Sequence, residues 1–457
     1  METFSKIVAE IDNLVWGAPL LVCLVGVHIF LTLRLKFIQR YIPLGIKLSL
    51  VKDEGAQGEI SQFGALAIAL AGTIGTGNII GVGTAIVTGG PGAVFWCWLC
   101  GVFGIATKYS ESLLSIKYRE VEADGTMRGG PMYVIQNVMK CKWLAVLFAI
   151  FTVCASFGIG NLAQSNAVAS FSREAFGVAP WLSGLLEVTL IAAAVLGGVK
   201  SISKLCTALV PAMAIFYVLG SIAVLCVCHE TIVPAISLIL KEAFSLRSIT
   251  GGFFGTAIML GMRYGIARGL FSNESGMGSA AIIAASAQTR NPVRQALIAS
   301  TGTFWDTVCI CALTGITMVS AVLKLDPAAN FANFKAEELA KIAFSNIPAI
   351  GTIVLAVALV IFAYTTILGW FCYGTQAILF LGGKKAMLPF RLIFVIMIFV
   401  GATSKIDLVW QFSDIANGLM AVPNLISLIF LSGIIVKETE RYLKHGSIED
   451  VAPPDVD

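Results

Sequence analysis

Continuous apolar runs, each long enough to cross a bilayer, recur along this chain and leave it few other ways to fold. They lie at 14–33, 62–88, 92–116, 143–170, 180–198, 205–228, 250–285, 295–323, 345–381, 387–403 and 411–436, about eleven spans at roughly 20 residues per crossing. Hydrocarbon offers no water to backbone N–H and C=O groups, so such runs must satisfy them within helices. They are apolar on every side rather than alternating, which excludes a transmembrane barrel. With 57% hydrophobic and 13% charged residues, the chain has too little polar surface to clothe a water-facing globule. The net charge of +4 does not suggest nucleic acid, and the partner implied by composition is the lipid bilayer.

The N-terminus is acidic around Glu2, Glu10 and Asp12, and basic residues follow the first run, the reverse of a cleavable signal peptide. Alternating the connections gathers most lysines and arginines on one side, among them Arg34, Lys36, Arg40, Lys117, Arg119, Arg290, Arg294, Lys437 and Arg441. Few, such as Arg173, Lys241, Lys324 and Lys341, remain on the other. The positive-inside bias therefore predicts a multi-pass protein of the cell (inner) membrane with its N-terminus outside and its C-terminus in the cytoplasm.

Two of the runs are interrupted alike, about 200 residues apart. The first break is Gly72-Thr73-Ile74-Gly75-Thr76-Gly77-Asn78-Ile79-Ile80-Gly81 and the second Phe271-Ser272-Asn273-Glu274-Ser275-Gly276-Met277-Gly278-Ser279-Ala280. Glycine weakens helix interiors, and loosened backbone with polar side chains is disfavoured against lipid, so both stretches are expected to line a cavity. With 14–33 set aside as an extra span, ten runs remain. They divide into five and five, 62–228 and 250–436, with a broken segment leading each half. An odd number of spans per half makes the halves enter from opposite sides, the geometry of an inverted repeat. The competing reading is that these glycines only let helices pack closely.

The expected architecture is an all-α polytopic fold in one transmembrane domain, 1–444, followed by a disordered cytoplasmic tail, 445–457. Residues 326–347 read as an outer loop able to act as a lid, and 129–140 as an amphipathic helix on the cytoplasmic surface. At a restarting helix, free N–H groups and the positive dipole end face the gap; at a stopping one, carbonyls do. A zwitterion suits that pair, its carboxylate near Thr76, Gly77 and Asn78 and its ammonium near residues 269–271, with a monovalent cation on leftover oxygens.

The run Gly89-Gly90-Pro91-Gly92-Ala93-Val94-Phe95-Trp96-Cys97-Trp98-Leu99, both breaks, Asn291-Pro292-Val293-Arg294-Gln295 and Thr365-Thr366-Ile367-Leu368-Gly369-Trp370 resemble the alanine or glycine:cation symporter family. The likeness covers nearly the whole chain. Cys97, where methionine is usual, and Gly101, where a larger small residue is common, depart from the family pattern at the start of a supporting helix. The resemblance implies the five-plus-five inverted-repeat fold of the amino acid, polyamine and organocation superfamily. It also implies sodium-driven uptake of a small neutral amino acid, with the sodium ion as coupling ion and no cofactor. Alanine or glycine is the expected substrate, D-alanine and serine fall in the same class, and glutamine is carried by some relatives.

By position within that family, Thr76, Gly77 and Asn78 would hold the substrate carboxylate and Gln164 would reach the substrate. Phe271, Ser272 and Gly276 would line the ammonium side, with Met277 and Trp370 bounding the side chain. Carbonyls of Ala71 and Ile74 and hydroxyls of Thr365 and Thr366 would take sodium. Each has a plainer rival: the threonines can bond back within their helix, Trp370 can anchor at the lipid interface, and Gln164 can pin helices together. Glu274 is read as an acceptor for N–H groups of the unwound segment rather than a proton carrier.

Proton coupling competes with sodium, but His28, His229 and His445 lie in the extra span, near an outer connection and in the tail, away from the expected pathway. Glu111, Glu274 and Asp306 stand as reservations. A membrane enzyme would need a nucleophile with its base or a metal motif, and no His-Glu-x-x-His occurs. The eleven cysteines are scattered, with Cys97-x-x-Cys100 lacking a second pair. A pore would show repeated filter sequences or charge rings.

Overall fold

The computed structural model describes residues 8, 10–12, 14–53, 55–122, 125–244, 256–404 and 406–452. The extra span forms α1 (Ala18–Arg34), which bends by 68° into Ile38–Ser49, whose α-helical part is α2 (Ile42–Ser49). The first half begins with α3 (Gln62–Thr73) and α4 (Ile80–Gly89), two pieces of one span bent by 58°. It continues through α5 (Ala93–Lys117), the short α6 (Pro131–Asn137), α7 (Lys142–Phe157), α8 (Ala163–Phe176), α9 (Pro180–Val195) and α10 (Gly198–Val227). A connecting α11 (His229–Ala243) leads to the second half.

The second half opens with its own broken span, α12 (Thr256–Asn273) and α13 (Ser279–Ala284). Then come α14 (Pro292–Thr303), α15 (Ala312–Leu325), α16 (Ala336–Ser345), α17 (Gly351–Gly382), α18 (Met387–Thr403), α19 (Ile406–Phe430) and α20 (Ser432–Leu443). Two long spans contain π-helical stretches, Gly158–Leu162 between α7 and α8 and Phe304–Cys311 between α14 and α15. Each adds a residue to a turn and so re-aims the side chains beyond it.

Six helical stretches among the described residues are long and apolar enough to cross a membrane alone, and the two bent pairs raise this to eight. One of the six, 351–403, turns at Gly383 (φ +64°) and holds both α17 and α18. The α9 helix has only 16 residues, and the second broken span is interrupted after Asn273. With these, the helices follow the expected apolar runs one by one.

The packing obeys the inverted repeat. Second helices α5 and α14 pair, as do the fourth helices α9 and α18. The fifth helix of each half lies on the third helix of the other, α10 on α17 and α19 on α7. Both broken spans sit inside this frame, where almost every residue of α3 and α13 is buried.

Ion pairs and hydrogen bonds of basic side chains join helix ends distant in sequence. Lys117 pairs with Glu438 at 3.2 Å and Arg290 with Glu449 at 2.9 Å, while Lys341 faces Glu174 at 3.8 Å and Lys324 donates to the Val227 carbonyl at 2.9 Å.

Three local expectations are revised. The stretch 129–140 does not lie on the surface: α6 buries Met132, Tyr133, Val134 and Ile135 and packs against α7. Its apolar residues surround a helix too short to present two faces. The strands Glu120–Val121 and Met127–Arg128 pair just before it, the one small sheet among the described residues. The tail is ordered through 452, its backbone and side chains bonded to Arg290, Asn291 and Arg294, because Glu449 brings a carboxylate to two guanidiniums; residues 453–457 lie outside the described residues. His28 is not peripheral, since α1 packs on α5 and the His28 ring is buried against the Thr107 hydroxyl at 2.7 Å.

Candidate functional site

The first break is built by glycine and an amide. The helix α3 ends at Ile74 (ψ 89°), and Gly75 is extended. A Cβ on Gly75 would lie 2.5 Å from Thr366 Oγ1 and 3.1 Å from Gln164 Oε1, so only glycine lets α17 and α8 approach this close. The freed N–H of Gly75 donates to Asn78 Oδ1 at 2.8 Å. The N–H and hydroxyl of Thr76 both donate to Gln164 Oε1, at 3.1 and 2.9 Å. Gln164 is itself aimed by its Nε2 group, which donates to the Ile159 carbonyl within the π-helical stretch.

The second break is held by left-handed backbone at Glu274 (φ +57°), Gly276 (φ +90°) and Gly278 (φ +78°). Glycine meets that geometry without a Cβ penalty, and Glu274 bears it. Glu274 was expected to accept the freed N–H groups; the carboxylate that does so is Glu111 of α5. Glu111 Oε2 accepts from the N–H groups of Gly276 and Gly278, both at 3.2 Å, and from Asn424 Nδ2 at 3.0 Å. Its other oxygen lies 3.6 Å from the buried ammonium of Lys108. Glu274 instead takes the Ser279 hydroxyl at 2.5 Å, and its second oxygen has no hydrogen-bond partner among the described residues.

The two breaks are joined by Asp306, at the start of the Phe304–Cys311 π-helical stretch. Its Oδ1 accepts from Asn78 Nδ2 at 2.7 Å, and its Oδ2 from Ser272 Oγ at 2.8 Å and Thr307 Oγ1 at 2.6 Å. All four residues are fully buried. Beside these bonds the Phe271 ring lies 3.2 Å from where a Gly77 Cβ would stand, and the Arg268 guanidinium lies 5.3 Å from the centre of that ring. Arg268 is clamped in turn by both oxygens of Asp414 on α19, at 3.1 and 2.8 Å.

Thr76, Gly77, Asn78, Gln164, Phe271 and Ser272 are thus gathered in one buried cluster. Thr366 reaches it too, its hydroxyl 3.4 Å from the Ile74 carbonyl, with Ala71 fully buried one turn earlier. Thr365 does not: its hydroxyl bonds back to the carbonyls of Ile361 and Phe362. Trp370 is fully buried, which removes the lipid-anchor reading, and it packs on the π-helical stretch, where a Gly160 Cβ would stand 2.2 Å from its own Cβ. Met277 is buried in the turn of the second break. Gly276 faces Leu24 and His28 of the extra span and Leu425 instead of this cluster. Asp306 and Glu111 carry more of the geometry than residue type suggested; the signal was an acid within an apolar run.

The fold and the paired breaks define a secondary transporter of the inverted-repeat class. The same fold is seen in a crystal structure of MhsT in complex with L-phenylalanine, with a TM-score of 0.57 at 14% identity, covering 84% of this chain and 99% of that one. The sodium:alanine symporter family matches residues 1–452, and the chain belongs to it. It is 45% identical over 446 residues to the sodium/alanine symporter AgcS of Methanococcus maripaludis, covering 96% of this chain and 97% of that one. It is 44% identical to an uncharacterized transporter of Haemophilus influenzae, over 98% of both chains. To the probable sodium/glutamine symporter GlnT of Bacillus subtilis it is 34% identical, over 97% of this chain and 91% of that one. The protein is a multi-pass member of a family of sodium-coupled amino-acid symporters.

Proposed function

We propose that this protein carries a small neutral amino acid, alanine or glycine first and D-alanine or serine within the same class, into the cell together with sodium by alternating access. The observation that carries the reading is the convergence of both breaks on Asp306 through Asn78 and Ser272. The substrate carboxylate meets the N–H groups at Thr76, Gly77 and Asn78, with Gln164 beside them. The ammonium meets carbonyls at the end of α12, near Phe271 and Ser272, where negative dipole ends gather. Gly276 and Met277 shape that turn, and Trp370 bounds the side chain. Sodium takes the carbonyls of Ala71 and Ile74 and the hydroxyl of Thr366, with Thr365 joining once it turns from its own helix.

Transport follows from rocking the broken spans against their neighbours around this point, with the N-terminus outside and the C-terminus inside. Each sodium charge crossing the full field contributes roughly 2.3 kcal/mol per 100 mV, enough with the sodium gradient to concentrate the solute many-fold. The ordered α16, whose Ala336 carbonyl would stand 2.8 Å from a Cβ on Gly83 of α4, supports a lid over the outer half.

A second reading, glutamine as substrate, draws on the 34% identity to the probable sodium/glutamine symporter. The close approach of Phe271 to Gly77 favours the smaller solutes. Counterflow of labelled alanine, glycine, D-alanine and glutamine in proteoliposomes, in sodium and in choline, decides both points. Alanine or glycine exchange in sodium alone is expected, and exchange of glutamine alone would replace the substrate assignment.

A further inference from the structure

The tail does more than end the chain. Ser447 and Asp450 close a compact turn, with the Ser447 N–H on Asp450 Oδ2 at 2.7 Å and the Asp450 N–H on the Ser447 carbonyl at 3.0 Å. That turn is held at several points. Asn291 Nδ2 donates to the carbonyls of Ile448 and Asp450, at 2.8 and 2.9 Å, and the Ala452 N–H donates to the Arg290 carbonyl at 2.8 Å. Glu449 is shared by Arg290 Nη1 at 2.9 Å and Arg294 Nη1 at 2.7 Å.

What the tail grips is a junction of both broken spans. Arg290 also bonds Asp53 through its backbone N–H and its Nε, at 2.9 and 2.5 Å. Just before α3, Ile60 pairs with Ala287, just after α13, and Gln62 Nε2 reaches the Thr289 hydroxyl at 3.3 Å. Arg119 closes the seam from α5, donating to the carbonyls of Gln57, Ala285 and Ala287. The entry to α3 and the exit of α13 are therefore bonded into one unit, and the tail ties that unit to α20. A cavity of about 710 Å³ lies there, walled by Gln57, Arg119, Arg290, Val451 and Ala452 among others.

In this structure α3 packs closely on α10 and α17. A Cβ on Gly64 would stand 2.5 Å from Ser203 Oγ of α10, and one on Gly369 of α17 would stand 2.7 Å from the Gly72 nitrogen. A movement of α3 away from α10 and α17 that carried the seam with it would draw Arg290, Asn291 and Arg294 off the tail. A segment that bonds only the close-packed arrangement shifts the equilibrium toward it, and tethering keeps its local concentration high.

We propose that residues 447–452 are a cytoplasmic clasp, with Glu449 on Arg290 and Arg294, that holds the inner entrance closed and slows its opening. The inference rests on the alternating-access reading. The test places a cysteine at Ser203, buried against α3 in this structure, and follows its labelling by a membrane-impermeant maleimide at the cytoplasmic face of inside-out vesicles. The 203 peptide is quantified by mass spectrometry, which separates it from the native cysteines.

Partly exposed ion pairs are modest, so Glu449→Ala and a stop after Lys444 are each expected to speed labelling about two- to fivefold, and Glu449→Asp to stay near the parent rate. Raising salt to about 0.5 M shortens the screening length and is expected to speed the parent, a readout that needs no variant, and to leave Glu449→Ala unchanged. Equal labelling with and without the tail, together with a parent rate indifferent to salt, would overturn the clasp. Whether sodium and alanine change labelling in the parent reports separately on alternating access, so the two ideas fail on different observations.

Discussion

Asp306 accepts a hydrogen bond from the side-chain amide of Asn78 at 2.7 Å, across 228 residues of sequence. With its other oxygen on Ser272, one carboxylate of α14–α15 links the unwound part of one broken span to the last turn of the other. The consequence is mechanical as well as electrostatic, because neither break can move alone without orphaning a buried group.

Asp306→Ala should therefore loosen the site. Unsatisfied buried donors cost about 1–3 kcal/mol each, and Asn78, Ser272 and Thr307 all lose an acceptor. Alanine affinity in sodium should fall at least about tenfold, the equivalent of about 1.4 kcal/mol. Asp306→Asn, which keeps one acceptor, should fall less. Equilibrium binding of labelled alanine to purified protein measures both.

The two threonines of α17 should separate. Thr366 faces the Ile74 carbonyl, whereas Thr365 is occupied by carbonyls of its own helix. Thr366→Val should raise the sodium concentration for half-maximal binding by about tenfold, about the loss of one good ligand hydrogen bond. Thr365→Val should raise it less. The sodium dependence of alanine binding gives the order, and an unmoved Thr366→Val would discard the proposed ion site.

Glu111 supports the second break with a charge that must be balanced. Glu111→Gln leaves the Lys108 ammonium buried without its partner, and breaking such a pair costs about 3–5 kcal/mol. A large drop in thermal stability in detergent is expected. Adding Lys108→Met should recover part of it by removing the stranded charge, and failure to recover would mean that Lys108 has another counter-ion.

Gly160 and Gly26 make a matched test of packing. A methyl at Gly160 would overlap the Trp370 Cβ at 2.2 Å, while a methyl at Gly26 would meet nothing within 4 Å among the described residues. Gly160→Ala should cost about 1–3 kcal/mol or more in stability, as overpacking does. Gly26→Ala should be close to neutral. Melting curves of the two variants, read side by side, suffice.

The spans were legible because apolar length is a local property, and the breaks were legible because glycine and polar residues interrupt that length. The pairing of halves followed from span parity alone. Less was legible where a long-range partner decides the outcome. By residue type Asp306 stands as a reservation over proton coupling, and nothing marks it as the acceptor of Asn78 and Ser272; Glu111 rather than Glu274 meets the freed N–H groups, because α5 brings its carboxylate to Gly276 and Gly278. The 129–140 stretch and the tail misled for the same reason. Their composition suits a surface, but Pro131–Asn137 is covered by α7 and Glu449 finds two arginines. Thr365 and Thr366 differ by one residue, a rotation of about 100° on a helix that residue type cannot report.

Everything in the proposed function depends on the two breaks gripping one amino acid beside one sodium ion. Labelled alanine binding to the purified parent and to Asn78→Ala, each in sodium and in choline, tests that most directly. The parent should bind in sodium and not in choline, and Asn78→Ala should bind in neither while keeping the parent's melting temperature within a few degrees. Equal binding in choline, or undiminished binding by a well-folded Asn78→Ala, would contradict the account.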